Sequence, residues 1–166
     1  MKVKVGIIGY GVVGKAIDNT LSKKYEIIKY DKYQNLHDFS LLKGCKFIFI
    51  AVPTPFDCSK NKVNLDPITE ALEKLSSINY QNVVIIKSTI PPGSCNIYIE
   101  KYNLNIVFNP EFLRESTTPN EDFKNQDTIV IGTDSDKNYK SVMGMYQKVA
   151  VSHANYYHTT SKEAEM

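Results

Sequence analysis

The sequence predicts an α/β domain with a doubly wound, mainly parallel six-stranded sheet that is covered by helices on both faces. Short apolar, β-branched runs recur along the 166 residues, and stretches with helical spacing of apolar residues separate them. The runs lack polar alternation, which is the pattern of strands buried on both faces when helices cover a parallel sheet. The length suits one domain that can bury a core without disulfides or metal.

The elements alternate along the whole chain, as a parallel sheet requires. The predicted strands are residues 2–9, 25–31, 46–52, 82–89, 104–110 and 127–133, with 154–159 as a weak last strand. The predicted helices are residues 12–22, 63–77, 92–102 and 135–149, with a short helix capped by Asp38 before the third strand. In residues 63–77, Ile68, Leu72 and Leu75 recur at helical spacing, and Pro67 suits a first turn.

The composition predicts no strongly charged partner. Hydrophobic residues make up 42% of the chain and charged residues 23%, and the formal net charge is +2. That charge is too small, and the lysines are too scattered, to predict binding to nucleic acid or an anionic membrane. No apolar run approaches the roughly 20 residues that span a bilayer, and glycines interrupt the first apolar run before a signal segment develops. The sequence thus favours a protein with neither partner.

The cysteines predict free thiols rather than a disulfide framework or a zinc site. Their number is odd and no C-x-x-C pair occurs, so we expect reduced thiols in a cytoplasmic compartment. These residues are Cys45, Cys58 and Cys95. The histidines show neither ligand spacing nor a partnered acid, so we expect surface or packing roles and no metal site; they are His37, His153 and His158.

A glycine fingerprint follows the first predicted strand. Gly9, Gly11 and Gly14 have the G-x-G-x-x-G spacing, they open a predicted helix, and the next strand ends at Asp31, 22 residues after Gly9. In a Rossmann-like domain such glycines allow a tight turn, a close approach of the pyrophosphate and close helix packing, while the acid binds the adenosine ribose. We therefore predict an NAD site that includes Gly9–Gly14 (Gly9, Tyr10, Gly11, Val12, Val13 and Gly14), Asp31 and Lys32.

Two other interpretations of the fingerprint are a glycine-rich turn that binds no dinucleotide and a site for FAD, which shares the pattern. The strand, the spacing and the acid together favour the nicotinamide cofactor. Asp31 would repel a 2′-phosphate and so favours NAD over NADP, while the neighbouring Lys32 opposes that preference.

Three later strands each end in a loop that combines proline with hydroxyls or carboxylates. The loops are AVPTPFD (51–57), KSTIPPGS (87–94) and NPEFLRES (109–116). Ligands of open α/β sheets bind outside the carboxyl ends of the strands, so all three loops are expected on the same rim as the glycine turn. Any single loop of this kind is common without function.

The motifs GYGVVG, VPTP, STIPPGS and NPEFLRES, in this order and spacing, resemble the UDP-glucose/GDP-mannose dehydrogenase family. The resemblance covers essentially the whole chain but only the N-terminal, NAD-binding part of that family. It implies oxidation of the C6 alcohol of a nucleotide sugar to a carboxylate, with two NAD and through an enzyme-bound thioester. The preferred substrate is UDP-glucose. Ser116, where the family often has glycine, and the unusual TTPNEDF segment leave the sugar open, including a GDP-mannose type substrate.

The resemblance also implies roles for residues of these loops. Thr89 would lie near the nicotinamide and the reacting centre, and Glu111 would serve acid–base chemistry in thioester hydrolysis. The cofactor cleft would include Val52, Pro53, Thr54, Ser88, Thr89 and Glu115. The nucleotide-sugar pocket would include Glu111, Phe112, Leu113, Arg114 and Glu115, with residues 112–114 contributing largely through their backbone.

The NPEFLRES segment places two acids and an arginine within what would be about one helical turn. Glu111 and Glu115 are four residues apart, so on a helix they would share one face and raise each other's pKa. Arg114, the chain's one arginine, is the predicted counter-charge that keeps the acids ionised. The alternative is a solvated surface helix with an i,i+3 ion pair.

The last residues predict the start of a helix. Thr160 and Glu163 have capping-box spacing, and we expect residues 160–166 to begin the family's central helix, with residues 1–166 as one NAD-binding domain. The family's nucleophilic cysteine lies in a later domain, so this chain is expected to be inactive alone and monomeric, and its parent homo-oligomeric. The alternatives are a stand-alone NAD-binding module and another dehydrogenase of the β-hydroxyacid type, which NPEFLRE disfavours.

Overall fold

The computed structural model describes residues 2–166 and contains a seven-stranded sheet and a small hairpin. The strands are β1 (Lys4–Ile8), β2 (Glu26–Tyr30), β3 (Phe47–Ile50), β4 (Phe56–Asp57), β5 (Lys62–Val63), β6 (Val83–Ile86), β7 (Asn105–Phe108), β8 (Thr128–Gly132) and β9 (Asn155–Thr159). The helices are α1 (Val12–Leu21), α2 (Asp66–Ser77), α3 (Ser94–Tyr102), α4 (Pro119–Lys124), α5 (Asp136–Tyr146) and α6 (Ser161–Ala164), with a 3₁₀ helix at Phe39–Gly44.

The sheet has the order β2-β1-β3-β6-β7-β8-β9, and β4 pairs with β5 in the hairpin. All neighbouring strands of the sheet are parallel except β7 and β8, which meet as an antiparallel pair at Phe108 and Gly132. The chain leaves β1 toward β2 on one side and returns to β3 on the other. The carboxyl ends of β1 and β3 therefore form the switch point at which ligands of doubly wound sheets bind.

Helices cover both faces of the sheet, as predicted. Strand β3 shows why, because all four of its residues are buried. Ile48 and Ile50 pack into the core beneath α2 and α3. Phe47 and Phe49 pack into the opposite core, which also contains residues of α1 and α5. A strand with two apolar faces needs apolar cover on each side, and this sequence supplies it.

The prediction of six strands was too low by one. The weak run at residues 154–159 forms β9, which pairs in parallel with β8 through five residue pairs. Its side chains are exposed or half-buried, because β9 is an edge strand and is covered less fully than the centre. An edge strand lacks the continuous apolar run that marks the central strands. The hairpin and α4 were also not predicted.

Two predicted helix caps are confirmed, whereas the helix predicted from residue 63 begins at Asp66, because residues 62–63 pair in β5. Asp38 accepts a hydrogen bond from the amide of Ser40 at the start of the 3₁₀ helix. Thr160 and Glu163 form a complete capping box at the start of α6. Helix α6 packs closely on β8, where a Cβ added to Gly132 would overlap the Cβ of Ala164. Within residues 2–166, none of the helices combines the length and the apolar character that crossing a membrane requires.

Candidate functional site

The glycine turn connects β1 to α1 at the switch point. Gly9 has φ +91°, a left-handed conformation that favours glycine, and a Cβ there would lie 2.5 Å from the carbonyl oxygen of Ala51 after β3. A Cβ at Gly14 would overlap the carbonyl oxygen of Gly9. A Cβ at Gly11, by contrast, would meet no atom within 4 Å. Two of the glycines thus allow the turn to pack, and the third borders open space.

That open space faces the start of a helix. Gly11 is the N-cap of α1 and provides no side chain to satisfy the first amides of the helix. Free amides and the positive end of the helix dipole favour an anion at this position. The residues therefore fit the pyrophosphate of a dinucleotide. Among the flanking residues, Val13 packs against the core, Val12 is exposed, and the Tyr10 hydroxyl donates to Asp18 at 2.5 Å.

The structure brings Asp31 to this turn, as predicted. Its carboxylate accepts hydrogen bonds from the backbone amides of Tyr10 at 2.8 Å and Tyr33 at 2.9 Å. These two bonds orient the carboxylate, and each oxygen keeps lone-pair capacity for another donor. Gln34 also donates to the carbonyl of Tyr10, which fixes the segment after β2 against the glycine turn.

A cleft of about 530 Å³ extends from the glycine turn between the end of β2 and helix α2. This volume lies within the usual range for small-molecule sites. Six predicted cofactor residues line it, namely Gly9, Gly11, Asp31, Lys32, Val52 and Pro53. Thr54 is half-buried next to them. The Ser88 hydroxyl donates to the carbonyl of Val52 at 2.7 Å and so joins the end of β6 to this loop.

A second cleft, of about 380 Å³, lies at the ends of β6 and β7. It brings together Thr89 and Glu111, the two residues for which a catalytic role is predicted, and exposed Phe112 also lines it. The opposite wall comes from α6 and the residues around it, including Glu163 and Glu165. Glu115 is exposed in the turn after Arg114 and lines neither this cleft nor the first.

The NPEFLRES segment is not a helix, so the prediction of two acids on one helical face was wrong. Residues 109–114 form no regular element, and a turn follows at 115–117. The Glu111 carboxylate accepts hydrogen bonds from the amides of Phe112 and Leu113, and the Asp122 carboxylate accepts one from the amide of Arg114. Carboxylates thus satisfy the amides, so the segment is held in an irregular conformation without helical hydrogen bonds.

The counter-charge of Glu111 is Lys87, and the prediction of Arg114 in that role was wrong. Lys87 Nζ lies 2.9 Å from Glu111 Oε2, and the side chains are 1% and 16% exposed. Arg114 instead donates through Nη2 and Nε to the Asp122 carboxylate, at 2.8 and 3.0 Å, on the surface. That guanidinium holds the pKa of Asp122 below its usual range.

Lys87 was not singled out from the sequence, although a signal was present. It directly follows four buried apolar residues of β6, which is an unusual position for a lysine. Its ammonium donates to Asn109 Oδ1 at 3.1 Å and to the carbonyl of Pro110 at 3.0 Å. Burial lowers the pKa of Lys87, and the negative charge of Glu111 opposes that shift. A lysine held inside the protein this way needs a partner, and Glu111 provides it.

Asn109 is a second buried polar residue that the sequence reasoning missed. Its side chain accepts from the hydroxyl of Tyr146 at 2.5 Å as well as from Lys87, and it donates to the carbonyl of Val130 at 2.6 Å. Asn109 therefore ties the end of β7 to β8 and α5. Glu111 is two residues later in the chain, so this network fixes the position of its backbone.

One oxygen of Glu111 keeps capacity for a further partner. Oε2 is buried, and among the described residues it receives no hydrogen bond of acceptable angle, although the Lys87 ammonium is close. Oε1 is engaged by two amides. A buried acceptor without a hydrogen bond is unfavourable by about 1–3 kcal/mol, so such an atom calls for an explanation. Glu111 itself lines the second cleft, while its Oε2 is enclosed beside Lys87.

The sheet order, the switch point and the glycine turn define a Rossmann-type dinucleotide-binding domain. Residues 20–150 match the model of the UDP-glucose/GDP-mannose dehydrogenase family, NAD binding domain. The chain belongs to this family and is its NAD-binding domain.

Relatives support the same assignment. The chain is 34% identical over 153 residues to the UDP-glucose 6-dehydrogenase of Rickettsia bellii, an alignment that covers 89% of this chain and 34% of that protein. It is 37% identical over 106 residues to the UDP-glucose 6-dehydrogenase of Campylobacter jejuni, with 61% of this chain and 26% of that protein covered. The chain thus spans about a quarter to a third of the length of these relatives.

Solved structures confirm the fold. A GDP-mannose dehydrogenase from Pseudomonas aeruginosa, solved as a ternary complex, superposes with a TM-score of 0.83 at 20% identity, over 98% of this chain and 47% of that chain. A UDP-glucose dehydrogenase from Pyrobaculum islandicum gives a TM-score of 0.79 at 20% identity, over 99% of this chain and 48% of that chain.

Proposed function

We propose that this chain is the cofactor-binding part of a nucleotide-sugar 6-dehydrogenase that oxidises the C6 alcohol of a UDP-sugar to a carboxylate with two NAD. The observation that carries the proposal is the second cleft, which both Thr89 and Glu111 line at the carboxyl ends of β6 and β7. UDP-glucose is the favoured substrate because the relatives at 34% identity are UDP-glucose 6-dehydrogenases. GDP-mannose is the second candidate.

In this proposal the first cleft binds NAD. The amides at the start of α1 would face the pyrophosphate beside Gly11, and Asp31 would accept hydrogen bonds from the adenosine ribose. Val52, Pro53, Thr54 and Ser88 would line the path toward the nicotinamide, with Thr89 near the reacting centre. Bound NAD would accept a hydride from the C6 carbon. Glu115 is proposed to contact the cofactor, which requires its turn to lie against a bound molecule.

Glu111 is proposed as the acid–base residue of the hydrolytic step. Two amides orient Oε1, and Oε2 is left without a hydrogen-bond donor in the part of the chain that the structure describes, so Oε2 would be the oxygen that accepts the proton. The Lys87 ammonium lies 2.9 Å from Oε2 as its counter-charge, and the proposed base chemistry uses the carboxylate form. Because Glu111 and Asp122 engage the amides of residues 112–114, carbonyls of this segment would supply its contacts to the nucleotide sugar.

Further proposals concern the domain arrangement, the cellular location and the oligomeric state of the enzyme. We propose that residues 160–166 begin a longer helix, which the capping box at Thr160 supports. The nucleophilic cysteine is proposed to lie in a second domain, because Cys45 and Cys95 are buried and Cys58 is in the hairpin. Free thiols fit the proposed cytoplasmic location. The chain is proposed to be monomeric and its parent homo-oligomeric.

The experiment that tests the proposal combines binding and turnover. We expect calorimetry to show NAD binding to the pure chain, and backbone NMR to show shifts at Thr89 and residues 111–114 when UDP-glucose is added with NAD. We also expect no steady NADH production. Shifts confined to other parts of the chain would contradict the placement of the sugar site, and sustained NADH formation would contradict a nucleophile outside this chain.

A stand-alone NAD-binding module without turnover is the second candidate, and it predicts a different result. Such a module would bind NAD equally well but would need no sugar pocket around Glu111. UDP-glucose and GDP-mannose would then leave the NMR spectrum unchanged in the presence of NAD. Comparing the two sugars also separates the two candidate substrates.

A further inference from the structure

Glu70 lies opposite Asp31 in the first cleft and holds two lysines. Its Oε2 is 2.7 Å from the Nζ of Lys32, which follows Asp31, and its Oε1 is 3.0 Å from the Nζ of Lys74, one turn later on α2. Both lysines line the same cleft as Asp31. One carboxylate therefore engages both ammonium groups, with a separate oxygen for each.

The pairing crosses the cleft rather than running along one helix. Lys32 belongs to the loop after β2, whereas Glu70 and Lys74 belong to α2. Lys74 is further held by the hydroxyl of Tyr30, at 3.2 Å, so it stays at the cleft wall. Hydrogen bonds from Lys32 and Lys74 lower the pKa of Glu70, which keeps the carboxylate charged at neutral pH. Both ammonium groups thus share one anionic partner in the cleft.

The position of these lysines bears on the choice between NAD and NADP, which differ by one phosphate. NADP carries a phosphate on the 2′-oxygen of the ribose that Asp31 is placed to bind, and at neutral pH such a phosphate carries close to two negative charges. Two free ammonium groups beside that ribose would attract the phosphate. With Glu70 between them, both ammonium groups are already engaged and half of their charge is neutralised, and the phosphate would meet a third carboxylate nearby in Asp66.

We infer that Glu70 is a specificity-determining residue, which disfavours NADP by occupying the two lysines that would otherwise bind its 2′-phosphate. The inference rests on the proposed use of this cleft for NAD. It explains why Lys32, whose position next to Asp31 would favour NADP, leaves the NAD preference intact. Discrimination then depends on Asp31 and Glu70 together, from the two walls of the cleft.

The test compares the affinities of NAD and NADP by calorimetry for the wild-type chain and for Glu70→Gln. We expect the ratio of the NADP Kd to the NAD Kd to fall about 3- to 10-fold in the variant at low salt. The change should shrink as salt is raised, because the freed lysines are partly exposed. Adding Lys32→Ala to Glu70→Gln should reverse part of the gain.

Glu73→Gln is the matched control. Glu73 is on the same helix and also touches a lysine, since it lies 3.9 Å from Lys101, but it does not line the cleft. Its loss removes the same charge and should leave the ratio unchanged. An unchanged ratio in Glu70→Gln, or an equal change in Glu73→Gln, would overturn the inference while NAD binding persists. Wild-type protein that binds neither dinucleotide would overturn both this inference and the proposed function.

Discussion

Lys87 and Glu111 form a buried ion pair, 2.9 Å apart, between the ends of the neighbouring strands β6 and β7. The lysine also donates hydrogen bonds to Asn109 and to the carbonyl of Pro110, so its ammonium has three polar partners inside the protein, with Glu111 as the charged one. This arrangement fixes Glu111 at the edge of the second cleft. Removing either member would leave the other charge without a partner in a site that excludes most water.

We expect Lys87→Met to destabilise the fold by about 3–5 kcal/mol, because it leaves Glu111 charged and unpaired and removes the donor to Asn109. Urea unfolding measures the change. The double variant Lys87→Met/Glu111→Gln should lose less than Lys87→Met alone, since the unpaired charge is then absent. Arg114→Met is the matched control, because it breaks an exposed pair, and its urea midpoint should move far less. Equal losses in Lys87→Met and Arg114→Met would contradict the buried pair.

This pair also shows where prediction from sequence ends. Local sequence patterns predict the central strands and helices α1, α2, α3 and α5. A buried strand or an amphipathic helix can be recognised from a window of about ten residues. Lys87 and Glu111 are 24 positions apart, and they meet only because β6 and β7 are neighbours. No local pattern contains that adjacency.

The same reason explains the other errors. Arg114 is the nearest cation to Glu111 in sequence, yet the chain turns so that α4 presents Asp122 to it. Strand β9 was underrated because an edge strand is only partly covered. In contrast, the meeting of Gly9, Gly11 and Asp31 was predictable, because the fingerprint itself encodes a strand, a turn and the next strand. The catalytic roles of Thr89 and Glu111, and the cofactor role of Glu115, stay predictions.

The glycine turn yields a prediction in which two similar changes act differently. A Cβ at Gly11 meets no atom, so Gly11→Ala should leave the urea midpoint nearly unchanged and weaken NAD binding at least about 10-fold by filling the space of the pyrophosphate. A Cβ at Gly14 overlaps the carbonyl of Gly9, so Gly14→Ala should destabilise the fold by about 1–3 kcal/mol. Calorimetry with NAD and urea unfolding separate the two effects. Unimpaired NAD binding by Gly11→Ala would contradict the placement of the cofactor.

Acid should destabilise the domain through carboxylates that are stabilised in the folded state. Arg114 lowers the pKa of Asp122, and hydrogen bonds from Thr160 lower that of Glu163. An acid whose folded pKa is depressed contributes stability above its unfolded pKa, which is near 4, and that stability is lost as the pH falls below it. The urea midpoint should therefore decrease from about pH 5 to about pH 3. Asp122→Asn and Arg114→Met should each make this decrease shallower, and an unaltered slope in both would contradict the assigned cause.

The contact between the last residues and α3 yields a further prediction. The Glu165 carboxylate accepts hydrogen bonds from the amides of Gly93 and Cys95 at the start of α3, directly after the loop that carries Thr89. Because the carboxylate is nearly buried and faces the positive end of a helix, Glu165→Gln should destabilise the fold by about 1–2 kcal/mol. Amide hydrogen exchange should accelerate most at residues 93–95, because those amides lose a charged acceptor. Glu163→Gln, which affects the capping box of α6 instead, is the control. It should leave exchange at residues 93–95 slow, and faster exchange there in both variants would show that α6 as a whole, rather than this carboxylate, protects the start of α3.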